Sequence, residues 1–449
     1  MHRFNRRAFP LLLVAVVASL LGVWAPIARA VDPAQAPVAV RWWGQALVTI
    51  ETWWGLTIAI DPYAPDKVGY DNPNLSANLT LITHHHFDHN NPDLIQGDPF
   101  VKQGLSSQGD VNELDLTLDR LPNSTKVTLT NSDKAGPLSP HPVRIRSIPA
   151  WHDDSAGAKR GADAMFLIET DGVRILHCGD LGQSSLTDDQ LDAIGRVDVL
   201  LIPVGGTYTV DGAQAAAITK QIGPRYVVPI HFKTDALTFD LASAAPFFAA
   251  LGKSAERQNA VGNTLAVSPA DDDSDDAMTI AVSLQYTPWQ APKHVKAGLV
   301  SIASARESLA KTVEGLSLEQ FDHHPADGSH TVRWNAEHTA GAEMSFFTLV
   351  YHDSDSTMPL IRITPAQMPA DYTPANPDWS PEEEANHIRR VGAFTERFAY
   401  LLDGVDPTQA RYPAFFKSLD GLFKLIAGHY DTHHGHIKEK MALPDWPKH

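Results

Sequence analysis

Thr83-His84-His85-His86-Phe87-Asp88-His89 sets four histidines and an aspartate within six residues, directly after an apolar run. Imidazoles crowded together repel when protonated and lose hydration when buried. A divalent cation that takes up their lone pairs removes both costs. His84 and His86 are two apart, so on an extended segment they face one way, while Asp88 and His89 fall on the turn that follows. That arrangement predicts two adjacent metal positions rather than one. A second cluster lies near the other end of the chain. His429 and His433 are four apart and share a helix face; His434 and His436 are read onto other faces. His338 precedes them on a separate predicted helix.

These clusters sit on two differently patterned halves. Short β-rich runs at 38–43, 46–51, 56–60 and 79–83 are punctuated by Gly44 and Gly55. Further strands are predicted at 143–148, 164–169, 173–177, 197–202, 226–230 and 278–286, with helices at 187–194 and 213–221 between them. From about His294 the period becomes helical, with amphipathic segments at 295–314, 335–352, 381–402 and 414–441 and no convincing strand. The expected fold class is an α/β sandwich followed by an all-α four-helix bundle. Asp271 to Asp276 reads as a solvated acidic loop, because EF-hand spacing is missing.

The 449 residues are 43% hydrophobic and 20% charged, a globular balance with room for two cores. A net charge of -17 argues against nucleic acid and anionic lipid as partners. One cysteine, Cys178, excludes an internal disulfide and any multi-thiolate metal site; it reads as a core residue. Arg3, Arg6 and Arg7, an apolar run from Leu11 to Trp24, and Ala28-Arg29-Ala30 have the form of a secretory signal of the Sec or twin-arginine kind. The expectation is an exported, periplasmic protein with no stable membrane insertion after signal cleavage. A homo-oligomer is compatible with the composition.

His84-x-His86-x-Asp88-His89 resembles the signature of the metallo-β-lactamase superfamily. Its downstream landmarks appear in order: His152 after Ala150-Trp151, Asp180 after Gly179, and His231 at the end of 226–230. Upstream, Gly44 and Asp61-Pro62 resemble the opening hairpins and the supporting aspartate of that fold. The resemblance implies an αββα sandwich with one metal on His84, His86 and His152 and another on Asp88, His89 and His231, with Asp180 bridging. Two divalent metals in such a site lower the pKa of a bridging water and supply a hydroxide nucleophile. Asp88 would coordinate and orient it, and Tyr208 and Lys233 are the candidates for substrate contact. His85 and His177 match no ligand position. The nitrogen and oxygen ligand set suits zinc first, with iron or manganese as alternatives. Gly205-Gly206-Thr207-Tyr208-Thr209 with Asp211 looks like the branch containing the ascorbate-phosphate lactonase. Gln45 departs from that branch, which carries His after the glycine.

Residues 292–449 resemble the DinB-like bundles, in which one His of the second helix and a His-x-x-x-His pair of the fourth hold a single metal. The match falls on His338, His429 and His433, and His330 departs from the usual Trp. Three His ligands leave coordination positions open, as catalytic sites do; zinc or nickel is the expected ion. The expected domains are a signal peptide at 1–30, a hydrolase domain at 31–289 and a bundle at 292–449. The expected activity is hydrolysis of an ester, lactone or phosphodiester-type bond in a small molecule. The rival readings are a thiol transferase carried by the bundle and a non-catalytic metal-binding protein.

Overall fold

The computed structural model describes residues 37–120, 126–136, 138–139, 141–269, 278–361, 372–414 and 416–448. The leader and the acidic run 271–276 lie outside the described residues. The strands in chain order are β1 Val38–Trp42, β2 Val48–Glu51, β3 Thr57–Ile60, β4 Leu75–Ser76, β5 Leu79–Ile82, β6 Ile95–Gln96, β7 Phe100–Gln103, β8 Asp115–Arg120 and β9 Val127–Asn131. They continue as β10 Val143–Trp151, β11 Ala162–Thr170, β12 Val173–His177, β13 Val199–Pro203, β14 Tyr226–Ile230, β15 Ala255–Asn259, β16 Thr264–Val267 and β17 Thr279–Ser283. The helices are α1 Pro65–Val68, α2 Asp188–Ile194, α3 Gly212–Ile222, α4 Ala245–Leu251, α5 Lys293–Glu314, α6 Leu318–Phe321, α7 Val332–Ser354, α8 Pro381–Arg397 and α9 Leu419–Met441.

Two sheets form the first half, one ordered β16-β1-β2-β3-β5-β7 and the other β15-β17-β14-β13-β12-β11-β10-β8-β9. Alternation decides what each strand buries. Val38, Val40, Ile50, Ile58, Leu79 and Leu81 of the first sheet meet Ile145, Phe166, Ile168, Ile175, Val199 and Val228 of the second in one core. The outer face of the second sheet is covered by α2, α3 and α4 through Ile194, Ile218 and Phe247. Thr187 and Asp211 cap α2 and α3 as complete capping boxes with Gln190 and Gln214. Asp211, part of the resemblance motif, is thus a helix cap.

The outward residues of β1 and β16 meet the second half. Ala39 and Ala266 join the core that α5, α7, α8 and α9 enclose, and Trp53 enters it beside Phe394 and His387. Arg397 reaches across to Glu51 at 2.8 Å, and the Ala266 amide donates to the Tyr400 hydroxyl. The bundle therefore takes part in covering the first sheet, so the layered αββα class and the four-helix bundle are both present and share a packed seam. No helix of the described residues is long and apolar enough to cross a membrane.

Candidate metal centres

Strand ends and the turns after them carry the first centre. His84, His86, Asp88 and His89 follow β5, His152 follows β10, Asp180 follows β12 and His231 follows β14. One donor atom from each of His84, His86, His152 and Asp180 lies within 4.8 Å of the others, and the same holds for Asp88, His89, Asp180 and His231. Asp180 is shared: Oδ2 is 3.2 Å from His152 Nε2 and 3.7 Å from His84 Nε2, while Oδ1 is 3.1 Å from His89 Nε2 and 3.3 Å from His231 Nε2. His84 Nε2 and His86 Nδ1 approach to 3.0 Å, and His152 Nε2 lies 3.3 Å from the same His86 atom.

Buried polar atoms normally have partners. Here His89 Nε2, His231 Nε2 and Asp180 Oδ1 are buried without a well-formed hydrogen bond, and all three converge. Donors of this kind, gathered and unsatisfied, fit a pair of divalent ions. Burial works against charge on Asp180, but His231 and His89 hold its carboxyl well below the usual range. Burial likewise opposes charge at His89, and Asp180, Asp88 and Asp61 outweigh it, so its pKa is raised. At His84 burial prevails, with His89 adding to it, and the pKa falls.

The turns are rigidly determined. Gln45, Asp61, Thr207 and His231 have left-handed backbones at φ of +47°, +54°, +58° and +50°, and such residues cluster at functional sites. Asp61 accepts from the Thr83 amide and hydroxyl, both at 2.8 Å, and contacts His89 Nδ1 at 2.9 Å, which turns His89 Nε2 toward Asp180. Gly179, at φ +51°, has no room for a side chain: a Cβ would stand 2.5 Å from Asp163.

Asp163 is a site residue that sequence reasoning missed. Fully buried on β11, it lies 3.4 Å from His84 Nδ1, and burial pushes its carboxyl up to about 7. An acidic residue in the apolar strand ADAMFLIET was the available signal. Gln45, noted only as a departure, donates from Nε2 to Asp88 Oδ2 at 2.9 Å. His85 turns away to the Ser106 carbonyl, and His177 stays in β12, bonded to the Ala46 carbonyl. Cys178 is buried, and burial raises its thiol.

Tyr208 is 46% exposed with the Arg160 guanidinium over its ring. The Lys233 ammonium donates to the Leu237 and Phe239 carbonyls, both at 2.6 Å, and so holds the loop after β14 together.

The second centre lies on helix faces. One nitrogen from each of His338 on α7 and His429 and His433 on α9 lies within 4.8 Å of the others. His433 Nδ1 is 2.7 Å from Asn335 Oδ1, which leaves Nε2 to face the group. Trp334 stacks on His338 with ring centroids 4.5 Å apart. His434 turns to the Thr312 hydroxyl on α5. His436 was read onto another face, yet it lies three residues from His433 with ring centroids 5.3 Å apart; a spacing of three also shares a face.

The two facing sheets and the shared-aspartate centre define a metallo-β-lactamase-fold hydrolase joined to a DinB-like bundle. The Beta-lactamase superfamily domain model matches residues 39–231, and the DinB superfamily model matches residues 301–437. A UPF0173 metal-dependent hydrolase of Thermococcus onnurineus is 32% identical over 200 residues, covering 44% of this chain and 85% of the relative. One from Cupriavidus necator is 31% identical over 276 residues, 54% of this chain and 92% of its own length. A solved structure of a metallo-β-lactamase superfamily protein from Thermotoga maritima is 25% identical with a TM-score of 0.37, covering 55% of this chain and all of that one. The chain belongs to the UPF0173 metal-dependent hydrolases of the metallo-β-lactamase superfamily.

Proposed function

We propose that the sandwich holds two divalent ions, zinc by preference, and hydrolyses an ester, lactone or phosphodiester-type bond in a small molecule. One observation carries this reading: the two oxygens of Asp180 face two separate donor groups. Divalent ions bound there supply Lewis acidity and bring the pKa of a coordinated water near neutrality. His84, His86 and His152 would hold one ion, and Asp88, His89 and His231 the other. Asp61 orients His89, and the Thr83 hydroxyl, 3.0 Å from His84 Nδ1, orients His84. Gln45 donates to Asp88 Oδ2, the oxygen that faces His89 and His231, and so fixes that carboxylate. Phe87 and Trp151, each next to a ligand in sequence and 44% and 41% exposed, offer apolar contact for a substrate beside Tyr208.

His338, His429 and His433 would hold a third ion, zinc or nickel. The basic and apolar leader supports export to the periplasm, and the acidic surface supports a small-molecule substrate over nucleic acid. The test is metal analysis of the purified chain, with activity profiling against lactones, thioesters, phosphodiesters and β-lactams. About three tightly bound ions and turnover of one class support the reading. Loose excess metal with no turnover favours sequestration instead.

A further inference from the structure

Helix α9 carries His429, His433, His436 and Lys440 at steps of four, three and four residues, so the four side chains form one stripe. Lys440 is only 6% exposed. Helical side chains lean toward the N-terminus, and Lys440 Nζ lies 3.5 Å from the His436 carbonyl one turn back, while the His436 ring is 5.3 Å from that of His433. Among the described residues no carboxylate forms an ion pair with it. The acids that face it are Asp327 and Glu439. Asp327 is at the surface with its Oδ1 engaged by the Ser329 amide, and Glu439 is exposed. On the opposite side, His330, Trp334 and His338 stack in a row with centroids 4.1 and 4.5 Å apart.

Charge compensation is what this end of the bundle lacks. Neutral imidazoles bring none to an ion. Of the acids of α7, Glu343 is held by Arg306, Thr395 and Tyr430, and Glu337 has one oxygen on Tyr372 and the Ala375 amide and the other buried without a partner, and neither is among the groups that act on His338. A divalent ion on His338, His429 and His433 would keep its full charge, with the half-enclosed ammonium of Lys440 further along the same stripe of α9 and acting on His433 through space. Uncompensated charge in such a place is costly, and a ligand with two separated negative groups relieves both at once.

We propose that the bundle binds a small dianion of the dicarboxylate type, one carboxylate completing the coordination of the ion and the other paired with Lys440. This rests on the reading that the three histidines hold an ion. The experiment uses the full chain loaded with Co(II), titrated with succinate and with butyrate, followed by calorimetry and the cobalt visible spectrum. His433→Ala serves as the baseline lacking the bundle ion.

The wild type should prefer succinate by about tenfold or more, the scale of a hydrogen bond to a charged group. Lys440→Met should keep its cobalt and lose the preference, Lys440→Arg should retain it, and Lys438→Met, at an exposed position of the same turn, should match the wild type. The dinuclear centre contributes equally to these proteins. A tenfold preference that survives in folded, metal-loaded Lys440→Met overturns the dianion site alone. A cobalt count unchanged by His433→Ala overturns the bundle ion, and the dianion site falls with it.

Discussion

The two centres assemble their donors in opposite ways. In the sandwich, donors arrive from four strand ends far apart in sequence, and carboxylates come with them. Asp88 and Asp180 point into the donor groups, while Asp61 and Asp163 back the histidines. In the bundle, donors come from two helix faces, all are imidazoles, and the amide of Asn335 supports His433. A centre that brings its own carboxylates offsets the charge of any ion it would hold. One that does not invites an anion to complete it. Distance in sequence follows the same division: turns held in left-handed backbone fix the first centre, and helical periodicity fixes the second.

Replacing Asp180 by Asn breaks the comparison most severely. Its two oxygens serve both donor groups, so the variant should stay folded, lose hydrolysis and lose sandwich metal, while the bundle ion remains. Loss should exceed the roughly 10–100-fold that removal of an outer hydrogen-bond partner causes. Elemental analysis with activity assays checks it, and full metal content with full activity would remove the bridging role. The mirror experiment is His433→Ala, which should lose one ion per chain and spare the dinuclear centre. His434→Ala, whose ring faces Thr312, should lose none. Milder are Asp61→Asn and Asn335→Ala. Each should weaken only its own centre, by about 10–100-fold in chelator competition. An equal effect on both centres would mean that they are not independently built.

The sequence shows these layers unevenly. Strands β1, β2, β3, β5, β12 and β14 were legible because their buried apolar runs are bounded by glycines, by Asp61-Pro62 or by the histidines. Strands β7, β9 and β15 were not: they are short sheet edges, and while Val127 to Thr130 of β9 alternates, β7 and β15 do not. The bundle helices were legible from their period, although α7 begins at Val332 and α9 at Leu419, away from the expected 335 and 414. The ligand groups could be read because His84 to His89 are contiguous and His429 and His433 are one turn apart. Asp163, the Gln45 bond to Asp88, Asn335 and Lys440 depend on tertiary register, which one sequence does not display. The carbonyl partners of Lys233 likewise exist only once the following loop folds back.

The seam between the halves supplies the smallest effect. His387 on α8 stands between Trp53 of the sandwich and Trp379, with centroids 6.1 and 5.3 Å away, and its buried Nδ1 has no partner. Burial first, and Arg390 second, lower its pKa to about 3. A free histidine titrates near 6.5. Above that pH both folded and unfolded chains carry it neutral, and its contribution to stability is fully present. As the pH falls below about 6.5 the unfolded chain takes up the proton and the folded chain does not, so stability declines until the pH passes about 3. Between pH 7 and pH 5 the loss is about 2 kcal/mol. His387→Phe keeps an aromatic ring between the tryptophans and removes the proton site, so its thermal stability should fall less over the same interval by that amount. Comparing the two proteins cancels every other titrating group, including the metal ligands. Parallel slopes for the two would show that His387 is protonated without disturbing the seam. A smaller slope for the variant, seen both in bundle helicity and in sandwich metal retention, would show that the two halves melt as one unit.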